Sequence, residues 1–374
     1  MISYTSFIQK FYQTLPHEIA KISGWDVKVL VPPYWKELWS KGKKYLEKDF
    51  DDLYDITVGK IWFPGNLHFS LFRSQLKWML QAYNPDIIDL ENEPFNLGSL
   101  QLVLYRDWYS PQSKIVLHAS QHQFKNYPPP FNFAEKHVLR KTDAILARNQ
   151  MAVDVLRGKG FRGLTPIVTH GVNIDAFAPR HLPELRNKIN PQGKLTIGFV
   201  GAMEEHKGLQ HLIRAVENLN ARLLLVGDGD YKKNLTTLAK SFNVDAVFIA
   251  HATHEEVAQY MNCMDIFVLP SLTRPNWVEK FGRVLIESMA SGIAVIGSDS
   301  GEIPNVIGDG GLIFQEGNVE DLRNKIRTLL EDKKLRNELG WKGRKRAQSE
   351  FSWKNIAQKT IDVYSQLLFN QKQN

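Results

Sequence analysis

The chain of 374 residues holds one cysteine, Cys263, so it forms no internal disulfide and suits a reducing cytoplasm. Cys263 falls in a helix-like stretch and reads as a small core residue. No run approaches the roughly 18 apolar residues a transmembrane helix needs. The opening Met-Ile-Ser-Tyr-Thr-Ser-Phe has no basic segment leading into a long apolar one, so no signal peptide is expected. Zinc-ligand spacings and arginine-rich tracts are absent, and no strand precedes an intact G-x-G-x-x-G, which argues against a nucleic-acid module and a dinucleotide oxidoreductase. Internal repeats and low-complexity tracts are missing too. What remains is a globular composition, 43% hydrophobic and 23% charged. The net charge of +7 is spread along the chain. It fits anionic small substrates or an anionic membrane surface, with no nucleic acid as partner.

Strand-like runs alternate with helix-like ones, the pattern of a parallel α/β protein. In the first half, strands are expected at Val27–Val31, Ile56–Phe63, Asp86–Leu90, Lys114–His118, Ala144–Ala147 and Pro166–Thr169. Helices are expected at Phe69–Ala82, Leu97–Trp108, Phe133–Lys141 and Gln150–Gly158. A polar, proline-containing hinge follows Phe177 and places a domain boundary near residue 179. The expected division is 1–178, 179–350 and a terminal amphipathic helix in 351–374 that opens at Phe351-Ser-Trp.

The chemistry concentrates in Glu279-Lys-Phe-Gly-Arg-Val-Leu-Ile-Glu287. A helix-forming stretch starts at the Phe-Gly pair. The amides of Phe281, Gly282 and Arg283 therefore sit at a helix N-terminus, where orphan N–H groups and the helix dipole favour a diphosphate. One carboxylate stands on each side of that cradle, which suits hydroxyls flanking a diphosphate, as in a nucleotide sugar. Alone, such a pair is more often two surface glutamates on an ordinary helix. The context upstream changes this. Leu195-Thr-Ile-Gly-Phe-Val-Gly201 reads as a buried strand ending in glycine, and Lys207-Gly208 follows just before a helical pattern. Lys207 is thereby placed to reach a phosphate oxygen.

Taken together, Gly201…Lys207-Gly208, Val226-Gly-Asp-Gly229, Asp265-Ile-Phe-Val-Leu-Pro-Ser271, Glu279-Lys-Phe-Gly282…Glu287 and Gly308-Asp-Gly-Gly resemble the retaining glycosyltransferases of family 4. Bacterial and cyanobacterial envelope-polysaccharide enzymes show the same likeness. The resemblance implies the GT-B fold: two Rossmann-like parallel-sheet domains facing a cleft, with the last helix crossing back to the first. It implies a hexosyltransferase that moves a sugar, best matched by glucose from UDP-glucose, to a saccharide or lipid-linked acceptor with retention and without a metal. The implied catalytic residues are His118 and Glu279; the diphosphate lies on Gly201, Lys207, Phe281, Gly282 and Arg283. Glu287 would hold the ribose, and Ala250 and His251 would lie near the base. His122 rivals His118, which is expected to project from a strand edge.

Two departures from the family pattern stand out. Ala202 replaces an arginine after the loop glycine, leaving Arg274 or Arg283 as candidates for its place, and the first glycine of the chain is Gly24. Asp228-Gly-Asp230 has a metal-binding form but reads as a turn after a strand. Between Tyr34 and Lys48, Trp35, Leu38, Trp39, Tyr45 and Leu46 recur at near-helical spacing with lysines opposite. This fits a surface helix or a peripheral contact of a cytoplasmic protein with the inner membrane face. A nucleotide-sugar epimerase and a non-catalytic nucleotide-sugar-binding scaffold remain open alternatives.

Overall fold

The computed structural model describes residues 1–36, 42–47 and 52–373, the last four by backbone alone. The chain divides into two compact units, Met1–Thr169 with Trp353–Asn374, and His170–Ser352. The boundary precedes the expected hinge because Val172 and Phe177 are already in the core of the second unit.

In the first unit six parallel strands run in the order Ala144–Ala147, Lys114–Ala119, Ile87–Glu91, Ile2–Ser3, Val27–Val31, Tyr54–Val58. The second unit orders its strands as Ala246–Ile249, Ala221–Val226, Leu195–Val200, Ile266–Leu269, Ala294–Ser298, Gly311–Phe314. Counted along each unit, both are the doubly wound arrangement in which the first strand sits centrally and the order reverses beside it. Central strands such as Leu-Thr-Ile-Gly-Phe-Val are nearly all buried, as expected where helices cover both faces of a parallel sheet.

The terminal helix Trp353–Gln373 belongs to the first unit. It packs on the helix Lys10–Ser23, where the Trp353 ring meets Phe11 at 5.4 Å and Tyr12 at 6.1 Å. The Lys10–Ser23 helix escaped the sequence pattern because it contains Pro16 and opens on Gln9, whose side chain caps nothing.

Other expectations need correction. The strand expected at Ile56–Phe63 stops at Val58, and Ile61–Trp62 instead pairs with Leu71–Phe72 in a small antiparallel hairpin. Gly59 lies between them, too close to Leu30 and Phe72 to carry a side chain without displacing them. The helix expected from Phe69 starts at Ser74. Pro166–Thr169 contributes only a bridge, Ala147 to Ile167, since a proline donates nothing to a ladder. Tyr34–Lys36 and Lys43–Tyr45 form an antiparallel pair, so Trp35 and Tyr45 stand on strands and not on a helix. β-branched and aromatic side chains fit a pleated surface as readily. Trp35 is half-buried against the core of the first unit, and Leu38 and Trp39 lie outside the described residues.

Candidate active site

In the second unit, the chain leaves Leu195–Val200 at Gly201 and Ala221–Val226 at Gly227. The two turns touch. A Cβ on Gly227, whose φ is +137°, would lie 1.9 Å from the Gly201 carbonyl oxygen. Beyond Gly201, Glu205–Lys207 makes one 3-10 turn that ends at Gly208 with φ +72°. There a Cβ would stand 1.9 Å from the Pro270 carbonyl oxygen, so glycine is needed for the approach of these loops. The Leu272 N–H donates to the His206 carbonyl at 2.8 Å and fixes the same junction.

That junction brings Lys207 to the segment before the expected anion cradle. Lys207 Nζ lies 2.8 Å from Glu279 Oε2, with both side chains mostly buried. The Ser271 hydroxyl donates to the same carboxylate oxygen at 3.2 Å. The ammonium also lies 4.6 Å from the centre of the Trp277 ring, a cation–π distance. Trp277 in turn packs on His206, ring centres 4.0 Å apart.

Gly282 opens the helix Arg283–Ala290, and no side chain caps it. Its α-carbon side approaches Glu279, whose Cγ would be 3.6 Å from an added Cβ. The Phe281 ring is buried, edge-on to Phe351 at 5.8 Å and tilted against His170 at 5.6 Å. Phe281 thus serves the core through its side chain, and only its amide is available to an anion. Arg283 points along its own helix, Nε 3.2 Å from Glu287 Oε1. Arg274 pairs with Glu205 at 3.6 Å. Neither guanidinium stands beside Ala202 through any of these contacts.

Glu287 is 2% exposed, and burial pushes its carboxyl up to about 7 despite the Arg283 charge and hydrogen bonding. Its Oε1 is buried and lacks a well-aligned hydrogen-bond donor. An acceptor of this kind is costly unless something donates to it, and ribose hydroxyls are suitable donors. His254, on the neighbouring helix His254–Met261, is pushed down to about 4 by burial and by Arg283.

Gly201, Gly227, Asp228, Ala250, His251 and Thr253 line one open depression at the strand ends. The His251 side chain is 89% exposed there and its Nε2 is 3.8 Å from Asp228 Oδ2. Asp228 accepts from the Gly229 N–H at 2.9 Å. That bond first, then Lys232, holds its carboxyl below the usual range. The backbone of the Asp228-Gly-Asp230 stretch is tied to the loop after Gly201: the Met203 N–H donates to the Asp228 carbonyl at 2.8 Å, and the Tyr231 N–H to the Met203 carbonyl at 3.0 Å. Among the described residues, no three His, Cys, Asp or Glu side chains gather as metal ligands.

His118 sits in the first unit and requires a correction. Its strand continues to Ala119, and the ring is buried rather than projecting from an edge. The Nε2 is 2.8 Å from Asp89 Oδ1, and the Tyr364 hydroxyl of the terminal helix donates to the other oxygen of Asp89. Burial alone would raise the Asp89 carboxyl; the His118 charge and these two hydrogen bonds reverse that and lower it. The rival His122 lies half-buried in the loop that follows.

The structure therefore unites Lys207 with Glu279 and the helix start, Arg283 with Glu287, and Gly201 with Ala250 and His251. The sequence reading gave no role to Ser271, Trp277 or His254. Ser271 lies two residues beyond the strand Ile266–Leu269, within a stretch that carries the family resemblance, while nothing in the spacing signals Trp277 or His254.

Residues 183–346 match the family model of glycosyl transferases group 1. A sulfoquinovosyl transferase from Arabidopsis thaliana is 33% identical over 194 residues, 49% of this chain and 36% of the relative. Spore coat protein SA from Bacillus subtilis is 29% identical over 226 residues, 54% of this chain and 59% of the relative. The chain thus spans less than two thirds of the length of these relatives. Among solved structures, HepE from Anabaena in complex with UDP has a TM-score of 0.72 at 18% identity, covering 98% of each chain. Sucrose-phosphate synthase from Thermosynechococcus elongatus reaches 0.71 at 20% identity over 99% of each. Two doubly wound units and these GT-B neighbours show that the chain has the GT-B fold, with residues 183–346 similar to the glycosyl transferases group 1 family.

Proposed function

We propose that the protein is a glycosyltransferase that moves a hexose from a nucleotide diphosphate sugar to an acceptor hydroxyl in polysaccharide or glycolipid synthesis. The observation that carries this reading is the Lys207–Glu279 contact at 2.8 Å, set at the start of an uncapped helix. A diphosphate needs the cation and the amides, and a sugar needs the carboxylate. When phosphate takes Lys207, Glu279 is released to accept from sugar hydroxyls and to face positive charge on the ring carbon. The departing diphosphate gathers negative charge as the glycosidic bond breaks, and donors preorganised around it lower the barrier. Glu287, with its under-used oxygen, is assigned the ribose, and the depression at Ala250 and His251 the base. UDP-glucose is the donor we favour, with retention of configuration and no metal.

Thermal-shift screening against UDP-, GDP- and ADP-sugars tests the donor. Release of UDP from UDP-glucose, measured with and without an acceptor panel and in EDTA, tests the reaction. Conversion of the donor without an acceptor and without net UDP release would point to an epimerase, and donor binding without turnover to a scaffold. Loss of activity in EDTA that Mn²⁺ or Mg²⁺ restores would return Asp228 to consideration as a ligand.

A further inference from the structure

The hairpin Ile61–Phe72 of the first unit lifts apolar side chains into solvent. Trp62, Phe63, Leu67 and Phe69 are all exposed, Phe63 by 64%. They adjoin one another and a neighbouring helix: Phe63 meets Phe69 at 6.5 Å, and Phe69 meets Phe131 edge-on at 5.3 Å. The loop that carries them is firmly held from beneath. The buried Ser70 hydroxyl donates to the Phe63 and Asn66 carbonyls at 2.9 and 2.7 Å. Backbone N–H groups of Asn66, Phe69 and Ser70 close the same turns.

Phe63 itself has φ +54°. An aromatic residue is unfavourable in that left-handed region, where glycine or asparagine rests easily. Folding therefore bears a local backbone cost here while exposing the ring, which hides nothing of the protein's own core. Strain of this kind persists where a side chain serves something outside the fold.

The electrostatic setting indicates what that is. From Ile56 to Pro85 the sequence contains Lys60, Arg73 and Lys77 and no aspartate or glutamate. The Arg73 guanidinium lies over the Trp62 ring at 5.6 Å. Aromatic and leucine side chains at a tip, with the Arg73 guanidinium against one of them and no carboxylate in the same span of sequence, match the chemistry of an anionic lipid interface. A protein partner would need its own complementary shape; a bilayer needs only the wedge and the sign of the charge. We infer that the Trp62–Phe69 tip is a membrane-docking wedge that enters the headgroup region of an anionic bilayer.

The wedge stands independently of the glycosyltransferase reading, and its test measures lipid binding alone. The full chain is sedimented with vesicles of phosphatidylcholine, with or without a third of phosphatidylglycerol, at low and high salt. Binding to the anionic vesicles that weakens with salt is expected. Phe63→Asn suits the left-handed backbone, so it should leave the thermal midpoint unchanged or raise it while lowering vesicle binding about tenfold. Leu67→Cys carrying an environment-sensitive dye gives a second readout, a blue shift on anionic vesicles that needs no loss of function to interpret. Failure of the wild-type chain to bind, undiminished binding of a folded Phe63→Asn variant, or a dye that stays in water would each overturn the wedge. So would a dye shift without lipid that grows with protein concentration, since the tip would then join two copies of the chain.

Discussion

The two units lay six parallel strands in the same order, yet their central strands end differently. In the second unit Leu195–Val200 runs six residues and passes into Gly201, which packs carbonyl to α-carbon on Gly227. The corresponding strand of the first unit is only Ile2–Ser3. It passes into Tyr4, stacked on Phe72 at 4.7 Å, and the Ser3 hydroxyl donates to Glu91 at 3.0 Å. One strand end is a close approach of two backbones, and the other is filled by side chains. The outer surfaces differ as well. Among the described residues, Trp341 alone of the exposed large apolar side chains lies in the second unit, while those of the first include five aromatic residues between Trp62 and Tyr83. The same topology thus carries a glycine-lined strand edge in one unit and an aromatic exterior in the other.

That contrast breaks most sharply at Lys207. If the second unit holds the leaving group, Lys207→Ala should slow transfer by about 30- to 1,000-fold, the equivalent of about 2–4 kcal/mol. Wild-type kinetics in a UDP-release assay would remove Lys207 from the site. Glu279→Gln should reduce turnover by about tenfold or more while UDP affinity holds or rises, because the lysine loses the carboxylate that competes for it. Calorimetry with UDP beside single-turnover assays separates the two effects, and a loss of UDP affinity would refute the exchange of partners.

Glu287 gives a pH-dependent test. Its carboxyl is raised to about 7 in the folded chain, above its unfolded value near 4.5. The stability from this group is complete below the unfolded value and is lost as pH rises through about 7. Glu287→Gln should then be more stable than wild type at pH 8 by about 2–3 kcal/mol, with the gap closing toward pH 4.5. Melting curves across this range check the sign. UDP affinity of the wild type should meanwhile increase as pH passes 7, since an ionised carboxylate accepts better from ribose hydroxyls. The smallest effect belongs to the first unit's outer face. Trp78→Ser and Trp108→Ser, at exposed positions, should each change stability by less than about 0.5 kcal/mol and leave UDP affinity alone. A shift in UDP binding would mean that the two surfaces are not separate in function.

The second unit was readable because its chemistry depends on glycine and on strand-to-helix order. Gly201, Gly208 and Gly227 are needed where backbones touch, and such needs leave a mark in sequence. Lys207 and Glu279 were singled out for the same ligand, but their direct contact joins residues far apart in the chain. It depends on Gly208 meeting Pro270, which no local pattern reports. Glu287 was placed on the right helix, yet its burial depends on neighbours that periodicity does not describe. In the first unit, local preference and tertiary context diverged. The Lys10–Ser23 helix hides behind Pro16, and the spacing of Trp35 and Tyr45 fits a hairpin as well as a helix. His118 looked like a strand end because the run Lys-Ile-Val-Leu-His stops at a polar residue, whereas Asp89 and Tyr364 make that residue an interior one.

Tyr364 also sets a timetable. Its hydroxyl reaches Asp89 across a sequence separation of 275 residues, and the helix that bears it covers Val29, Val116 and Leu146 in one shared core. Everything from His170 to Ser352 must be synthesised before that helix exists. At roughly 5–20 residues per second on the ribosome, the first unit waits about 10–40 s with that flank of its sheet bare, while the second unit has its whole sequence and can close. The part of the chain made first is therefore the part finished last, and a nascent chain halted before Trp353 should expose to chaperones the apolar flank that the finished protein conceals.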